Sequence, residues 1–248
     1  MKLFYATIIF LFLVIGIFLY YRLPIVTGKI SKQTIYLSLV NFFHQRNSSD
    51  TAHYMFIDDD SGPGIFRIRK ICERFGVKAT FAVVPSVLDS ACCDSLKKWQ
   101  QEGYGIAIHS YHHDVWKRWT EDEVKADIQR CLDFFNQRGF DMSRINIVVT
   151  PGFNNTSAIR SAISSYGMKM VMGANIVNPD TTTFQWGRMF ITQETNLHDA
   201  KRVLEKTCSE RGFIIFGTHS SNAEEFSPQK TVEILRMTLD LGLEPLSF

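Results

Sequence analysis

From residue 54 onward the chain alternates short apolar runs with longer stretches of amphipathic spacing. The runs at 54–57, 79–84, 106–108, 145–149, 168–172 and 213–216 have the length and composition of strands buried on both faces. Between them, apolar residues return every three or four positions, as in Ile65, Ile68, Cys72 and Phe75 before Gly76. The same spacing links Val124, Ile128, Leu132 and Phe135 before Gly139. One buried helical face explains both, with the glycine as a stop. Thr120 and Glu123 stand at capping-box spacing and start the second of these helices. Helices are also predicted over 95–101, 157–166 and 201–208, and Ser227 with Pro228 opens a closing one. Such repeated βα units predict a parallel barrel or an open α/β sheet.

The amino terminus carries a different pattern. Residues 3–21 are almost unbroken hydrophobe; about nineteen residues at 1.5 Å each span about 28 Å, close to a bilayer's hydrocarbon core. A cleavable signal peptide has an apolar centre of about 7 to 15 residues and a small-residue cleavage site. No such site follows Tyr20 and Tyr21. The pattern predicts a transmembrane anchor over 1–22, a connector over 23–50 and one globular domain over 51–248, with the polar stretch 47–51 at the boundary. Lys2 precedes the apolar run while Arg22, Lys29 and Lys32 follow it, so the positive-inside bias does not orient it.

Composition narrows the partners. The chain has 248 residues and a net charge of +2, and the roughly 200 residues beyond the connector suit a single domain with a substantial core. Basic residues neither cluster nor interleave with aromatics along one face, so nucleic acid is not an expected partner. Five cysteines, Cys72, Cys92, Cys93, Cys131 and Cys208, are scattered without metal-site spacing, and an odd number leaves at least one thiol free.

Two strand ends hold the candidate chemistry. The run at 54–57 ends in Asp58, Asp59 and Asp60; the run at 106–108 ends in His109, Ser110, Tyr111, His112 and His113. Carboxyl ends of strands are where α/β folds gather ligands. One carboxylate and two neutral imidazoles, with an open position, make a catalytic site for a divalent ion, zinc best of all. Such an ion lowers the pKa of bound water from near 15.7 to about 7. A neighbouring carboxylate then serves as general base. Taken alone, the acid triplet fits a solvated turn or a site for harder cations equally well. His109 and His113 are four apart and would share a face in a helical turn.

With these residues in view, the chain resembles the polysaccharide deacetylases, the NodB-homology group or carbohydrate esterase family 4. The family's Thr-Phe-Asp-Asp-Gly is matched around Phe56, Ile57, Asp58, Asp59 and Asp60, followed by Ala79, Thr80 and Phe81 for its Ala-Thr-Phe strand. Its His-Ser/Thr-x-x-His is matched by His109, Ser110 and His113, after Gly103 and Gly105. The resemblance implies a distorted, incomplete (β/α) barrel of seven or eight strands. It also implies a base followed by a metal-binding aspartate. Spacing back from Ala79 makes Asp58 the base and Asp59 the ligand with His109 and His113; a shift of one residue makes Asp60 the ligand instead.

Later motifs depart from the family. Its Arg-x-Pro segment, whose arginine orients the base, falls on Val149, Thr150, Pro151, Gly152 and Phe153, with no arginine. Either something else holds the base, or activity is weak. Gly152 and Phe153 offer backbone N–H groups toward an oxyanion, or form a plain turn. The family's Leu-x-His becomes Gly217, Thr218 and His219, which implies that His219 protonates the departing amine. Of the nearby aromatics, Trp116 is the preferred sugar-stacking candidate over Tyr111, Trp119 and Trp186. The expected function is that of a membrane-anchored, zinc-dependent hydrolase that removes acetyl groups from N-acetylated sugars of a polysaccharide, its catalytic domain extracytoplasmic. O-deacetylation on the same site, and a catalytically silent glycan-binding module, are the alternatives.

Overall fold

In the computed structural model, residues 35–37, 41, 50–174 and 176–246 are described. Strands and helices alternate: β1 (His53–Asp59), α1 (Ile65–Phe75), β2 (Thr80–Val83), α2 (Ser90–Gln101), β3 (Gly105–Ile108), α3 (Glu121–Gln137), β4 (Ile147–Val149), α4 (Ser157–Ser165) and β5 (Lys169–Gly173). The chain continues through β6 (Gln185–Phe190), α5 (Leu197–Glu210), β7 (Phe213–Thr218), α6 (Pro228–Asp240) and β8 (Glu244–Pro245). Neighbouring strands run parallel from β2 through β7 to β1, and β1 also pairs with β2, so the ring closes. This is the distorted barrel that the resemblance implies.

One edge of β1 is divided between two partners. Its first residues pair with β8, His53 opposite Glu244 and Tyr54 opposite Pro245; its last pair with β2, Ile57 opposite Thr80 through Asp59 opposite Ala82. The barrel is therefore tight at the carboxyl ends of its strands and splayed at the other end by the β8 insertion. The tight end carries the acid triplet.

Alternation along β1 sorts its side chains into two cores. Tyr54 and Phe56 face the helices, while Met55 and Ile57 face the barrel interior. Trp186 fills that interior edge-on to Phe213, and the small Ala82 and Ala107 make room for it. As in other such barrels, the middle is packed and not a pore.

Local signals worked where their chemistry was complete. The Thr120–Glu123 capping box forms with both reciprocal bonds, and Gly76 ends α1 at φ +67°. Two helices start earlier than the apolar spacing predicts because side chains cap them upstream: Asp89 accepts from the Cys92 N–H, and Asn196 from those of His198 and Asp199. Strand β6 has no counterpart in the apolar pattern, since Gln185, Gly187 and Arg188 interrupt it.

The anchor predicted over 1–22 lies outside the described residues, as does the connector except at 35–37, 41 and 50. Among the described residues no helix is long and apolar enough to cross a membrane. Leu37 is buried in the core, and the Tyr36 hydroxyl accepts a bond from Gln185 Nε2. All five cysteines are free thiols, so no disulfide supports the domain.

Candidate metal and catalytic site

The three successive aspartates end up in three different environments, because β1 alternates and then leaves the sheet. Asp58 points outward, as Phe56 does, into a buried space behind the barrel wall. Its Oδ1 accepts from Thr218 Oγ1 at 2.6 Å and from the Ser220 N–H at 3.0 Å, and its Oδ2 from Ser220 Oγ at 2.6 Å. Burial pushes its pKa up to about 7 against the pull of those donors. Asp59 points inward at the barrel mouth and is equally buried. Arg188 forks it, Nη1 to Oδ1 at 2.7 Å and Nη2 to Oδ2 at 2.6 Å. Burial alone would raise this carboxyl, but the guanidinium outweighs it and holds Asp59 well below the usual range.

Asp60 stands past the end of the strand at φ +73° and is partly open to solvent. Its Oδ1 lies 3.3 Å from both His109 Nε2 and His113 Nε2. The candidate ligand atoms of Asp60, His109 and His113 all fall within 4.8 Å of one another. This grouping is that of the shifted register: Asp60 is within 3.3 Å of both imidazoles, while Asp59 Oδ2 lies 3.8 Å from His109 Nε2. Ser61 then takes the family's glycine position, and its φ of +51° is the conformation glycine adopts easily. Bonds from Ser61 Oγ to the Ala82 carbonyl and from the Val84 N–H to Ser61 Oγ hold that backbone.

His109 and His113 do not share a helical turn. His109 ends β3, and the following loop turns back through left-handed residues Ser110 (φ +62°) and His113 (φ +63°), which sets the two rings 4.9 Å apart. Asp127 of α3 pins this loop by accepting from the Tyr111 N–H at 3.1 Å. His109 Nδ1 donates to the Val149 carbonyl at 2.8 Å, which leaves the Nε2 lone pair facing Asp60. A ring nitrogen fixed by a carbonyl is the usual support of a metal-ligating histidine. Burial pushes the His113 pKa down, toward the neutral form that binds cations. Asp60 Oδ1 is buried with no hydrogen-bond donor of its own. Two imidazole nitrogens and this one orphaned oxygen, three donors in all, fit a divalent cation of zinc's type.

His219 follows β7, with Nε2 3.5 Å from Asp59 Oδ2 and 4.0 Å from Asp60 Oδ2. Glu225 Oε2 lies 3.1 Å from its Nδ1, and the Phe190 ring stacks on its face at 4.8 Å. Burial would lower this imidazole's pKa, but the contact with Asp59 and the charges of Asp59, Asp60 and Glu225 lift it to about 9. These contacts favour the protonated ring.

Arg188 is the residue that the sequence reading missed. It sits on β6 and crosses β7 to reach Asp59, and the crossing uses Gly217: a Cβ there would lie 3.3 Å from Arg188 Cδ and 3.2 Å from the Phe190 ring. The two departures from the family pattern are thus linked. Glycine replaces leucine before Thr218 and His219, and the stem of the Arg188 side chain passes close to where that side chain would be. The available signal was a single arginine inside a strand-length segment, since an arginine is rarely buried without a carboxylate partner.

Other expectations need correction. Trp116 is wholly buried in the outer core and has no face to offer a sugar, whereas Trp186 packs in the inner core as expected of it. Tyr111 is covered by the Arg130 guanidinium, 3.7 Å from its ring centre. The Phe153 N–H is taken by the Thr150 carbonyl, so this residue meets the site with its ring, against Phe190 and within 5.6 Å of the Arg188 guanidinium carbon. Gly152, at φ +60°, makes the turn beside it.

Solved structures share this architecture. A family 4 acetyl xylan esterase from Clostridium thermocellum in complex with a cobalt ion is 17% identical, over 78% of this chain and 86% of that one, with a TM-score of 0.55. The catalytic domain of a peptidoglycan N-acetylglucosamine deacetylase from Eubacterium rectale is 15% identical, over 83% and 92%, with a TM-score of 0.58. A carbohydrate esterase family 4 pseudoenzyme from Bacillus anthracis is 13% identical, over 81% and 65%, with a TM-score of 0.56. No curated protein sequence matches. The polysaccharide deacetylase family description matches residues 45–171, about half of the chain and all of the acid triplet and histidine loop; the chain belongs to the polysaccharide deacetylase family.

Proposed function

We propose that this protein is a metal-dependent hydrolase that removes acetyl groups from N-acetylated sugars of a polysaccharide. The observation that carries the proposal is the convergence of Asp60, His109 and His113, with Asp59 and His219 placed 3.5 Å apart beside them. Asp60, His109 and His113 hold the cation, zinc best fitting the donor set. When bound, it supplies Lewis acidity and an activated water.

The chain's own groups account for the proton movements. Asp59 receives the proton of the attacking water, and Arg188 keeps that carboxylate ionised and fixed in direction. His219 gives its Nε2 proton to the departing nitrogen, and Glu225 at Nδ1 stabilises the protonated ring. An amine leaves only once protonated, whereas an alkoxide is a better leaving group. A histidine held beside Asp59 and Glu225 as a proton donor therefore suits an amide substrate more than an ester. O-deacetylation is the second reading, favoured by the likeness to an acetyl xylan esterase. The missing third-motif arginine is the main support for the silent-module reading, and the Arg188 fork on Asp59, which places a guanidinium on that carboxylate, weighs toward the active one. The apolar run at 3–21 supports a membrane tether with the domain outside the cytoplasm, where assembled surface glycans lie.

The test is acetate release from an N-acetylglucosamine oligomer by the full-length chain, with and without chelator. Release that chelator abolishes and zinc restores is expected. If no N-acetylated glycan gives metal-dependent acetate, the proposal fails.

A further inference from the structure

We infer that Asp58 is a positioning residue for His219, acting from behind the barrel wall. In the shifted register it stands where the family has phenylalanine. A buried carboxylate in an apolar position is costly, and no cation pairs with Asp58 among the described residues. What it does have is three donors, all from the two residues that flank His219: the Thr218 hydroxyl, the Ser220 hydroxyl and the Ser220 N–H.

The placement explains why such a clamp is useful. Asp58 opposite Thr218 is the last rung between β1 and β7, so the ladder stops one residue short of His219. Beyond that rung the carboxylate replaces backbone pairing, bridging Thr218 to Ser220 and fixing the direction in which His219 turns inward. Gly64 adds to this mounting, since its missing side chain lets the Ser220 backbone approach to where a Cβ would lie 2.3 Å from the Ser220 carbonyl carbon. The triplet thus divides its labour by facing: Asp59 and Asp60 face the reaction, and Asp58 aims the proton donor at it.

The inference rests on the proposed role of His219 as acid, and the experiment separates the two. Three full-length proteins are compared: wild type, Asp58→Asn, and the apolar triple Asp58→Leu/Thr218→Val/Ser220→Ala. The triple removes the carboxylate together with both hydroxyls and leaves only the Ser220 N–H without its acceptor, so it is expected to fold, at the cost in stability of that one unsatisfied donor. The asparagine variant can keep all three contacts and should hold turnover within about threefold, while the triple should lose about 10- to 100-fold in kcat on an N-acetylated oligomer. KM and cobalt(II) affinity should not change. Hydrolysis of 4-nitrophenyl acetate, whose leaving group needs no proton, should stay within about twofold in the triple. Equal loss on both substrates, or asparagine as damaging as the triple, would overturn the inference. A crystal structure of the triple decides the matter without any assay: His219 Nε2 should move away from Asp59, and an unmoved His219 refutes the positioning role. If the triple does not fold, Ser220→Ala alone should lower the ratio of amide to aryl-ester turnover, and an unchanged ratio counts against the inference. Wild type inactive on every glycan would instead sink the proposed function.

Discussion

Replacing Arg188 by methionine removes a charge while keeping most of the side-chain volume, and it strips Asp59 of both its strong donors. Both partners are inaccessible to solvent, with relative exposures of 0% and 1%. At about 4 Å between charge centres and an effective dielectric constant of about 20, their attraction is about 4 kcal/mol. Taking one member from a buried pair costs about 3 to 5 kcal/mol, mainly because the remaining charge stays in the interior. Against a total stability of about 5 to 15 kcal/mol, that is a large fraction. The assay is equilibrium urea denaturation with chelator present, so that a bound cation does not mask the loss. Arg188→Met should lose about 3 to 5 kcal/mol, and adding Asp59→Asn should recover about half or more by removing the unpaired charge. A loss below about 1 kcal/mol, typical of an exposed pair, or no recovery in the double variant would refute the buried-fork reasoning.

Further expectations follow from the same geometry. Asp59→Asn should abolish deacetylation while zinc affinity, read by calorimetry, stays within a few fold; Asp60→Ala should lose the metal itself. Gly217→Ala places a methyl 3.3 Å from Arg188 Cδ, and the overpacking should cost about 1 to 3 kcal/mol in thermal unfolding and weaken turnover. Because contact with Asp59 and nearby carboxylates lift His219 to about 9, turnover should persist through neutral pH and fall as pH rises through that value. A bound cation moves this limb lower, so a pH–kcat profile with no loss up to pH 10 would exclude His219 as the acid. Thr120→Ala should cost about 0.5 to 2 kcal/mol through its capping box, with kcat unchanged.

The legible part of the sequence was the part whose physics is local. Runs of buried strand residues, the Thr120–Glu123 cap and the glycine stops are set by neighbours a few positions away, and they located most of the barrel. The histidine pair was also legible, because His109 and His113 share one short loop. What stayed hidden depends on contacts between strands far apart in sequence. Arg188 meets Asp59 across 129 positions, and Asp58 meets Ser220 across 162. The division of the triplet could not be read from spacing, since Asp58, Asp59 and Asp60 are chemically identical and only the pleat and the turn after it distinguish them. Trp116 misled for a similar reason: nearness to a motif in sequence says nothing about which way a ring faces.

The strand that supplies Arg188 has a practical consequence for sorting such chains. In a ring of parallel strands every carboxyl end opens on the same mouth, so a charge needed there can be delivered from any spoke, provided the spoke between is bare enough to step over. A classification that scores motifs in linear order would discard this protein as inert for want of one arginine. Searching instead for a bare glycine on one stave and an arginine on the next would recover others built the same way.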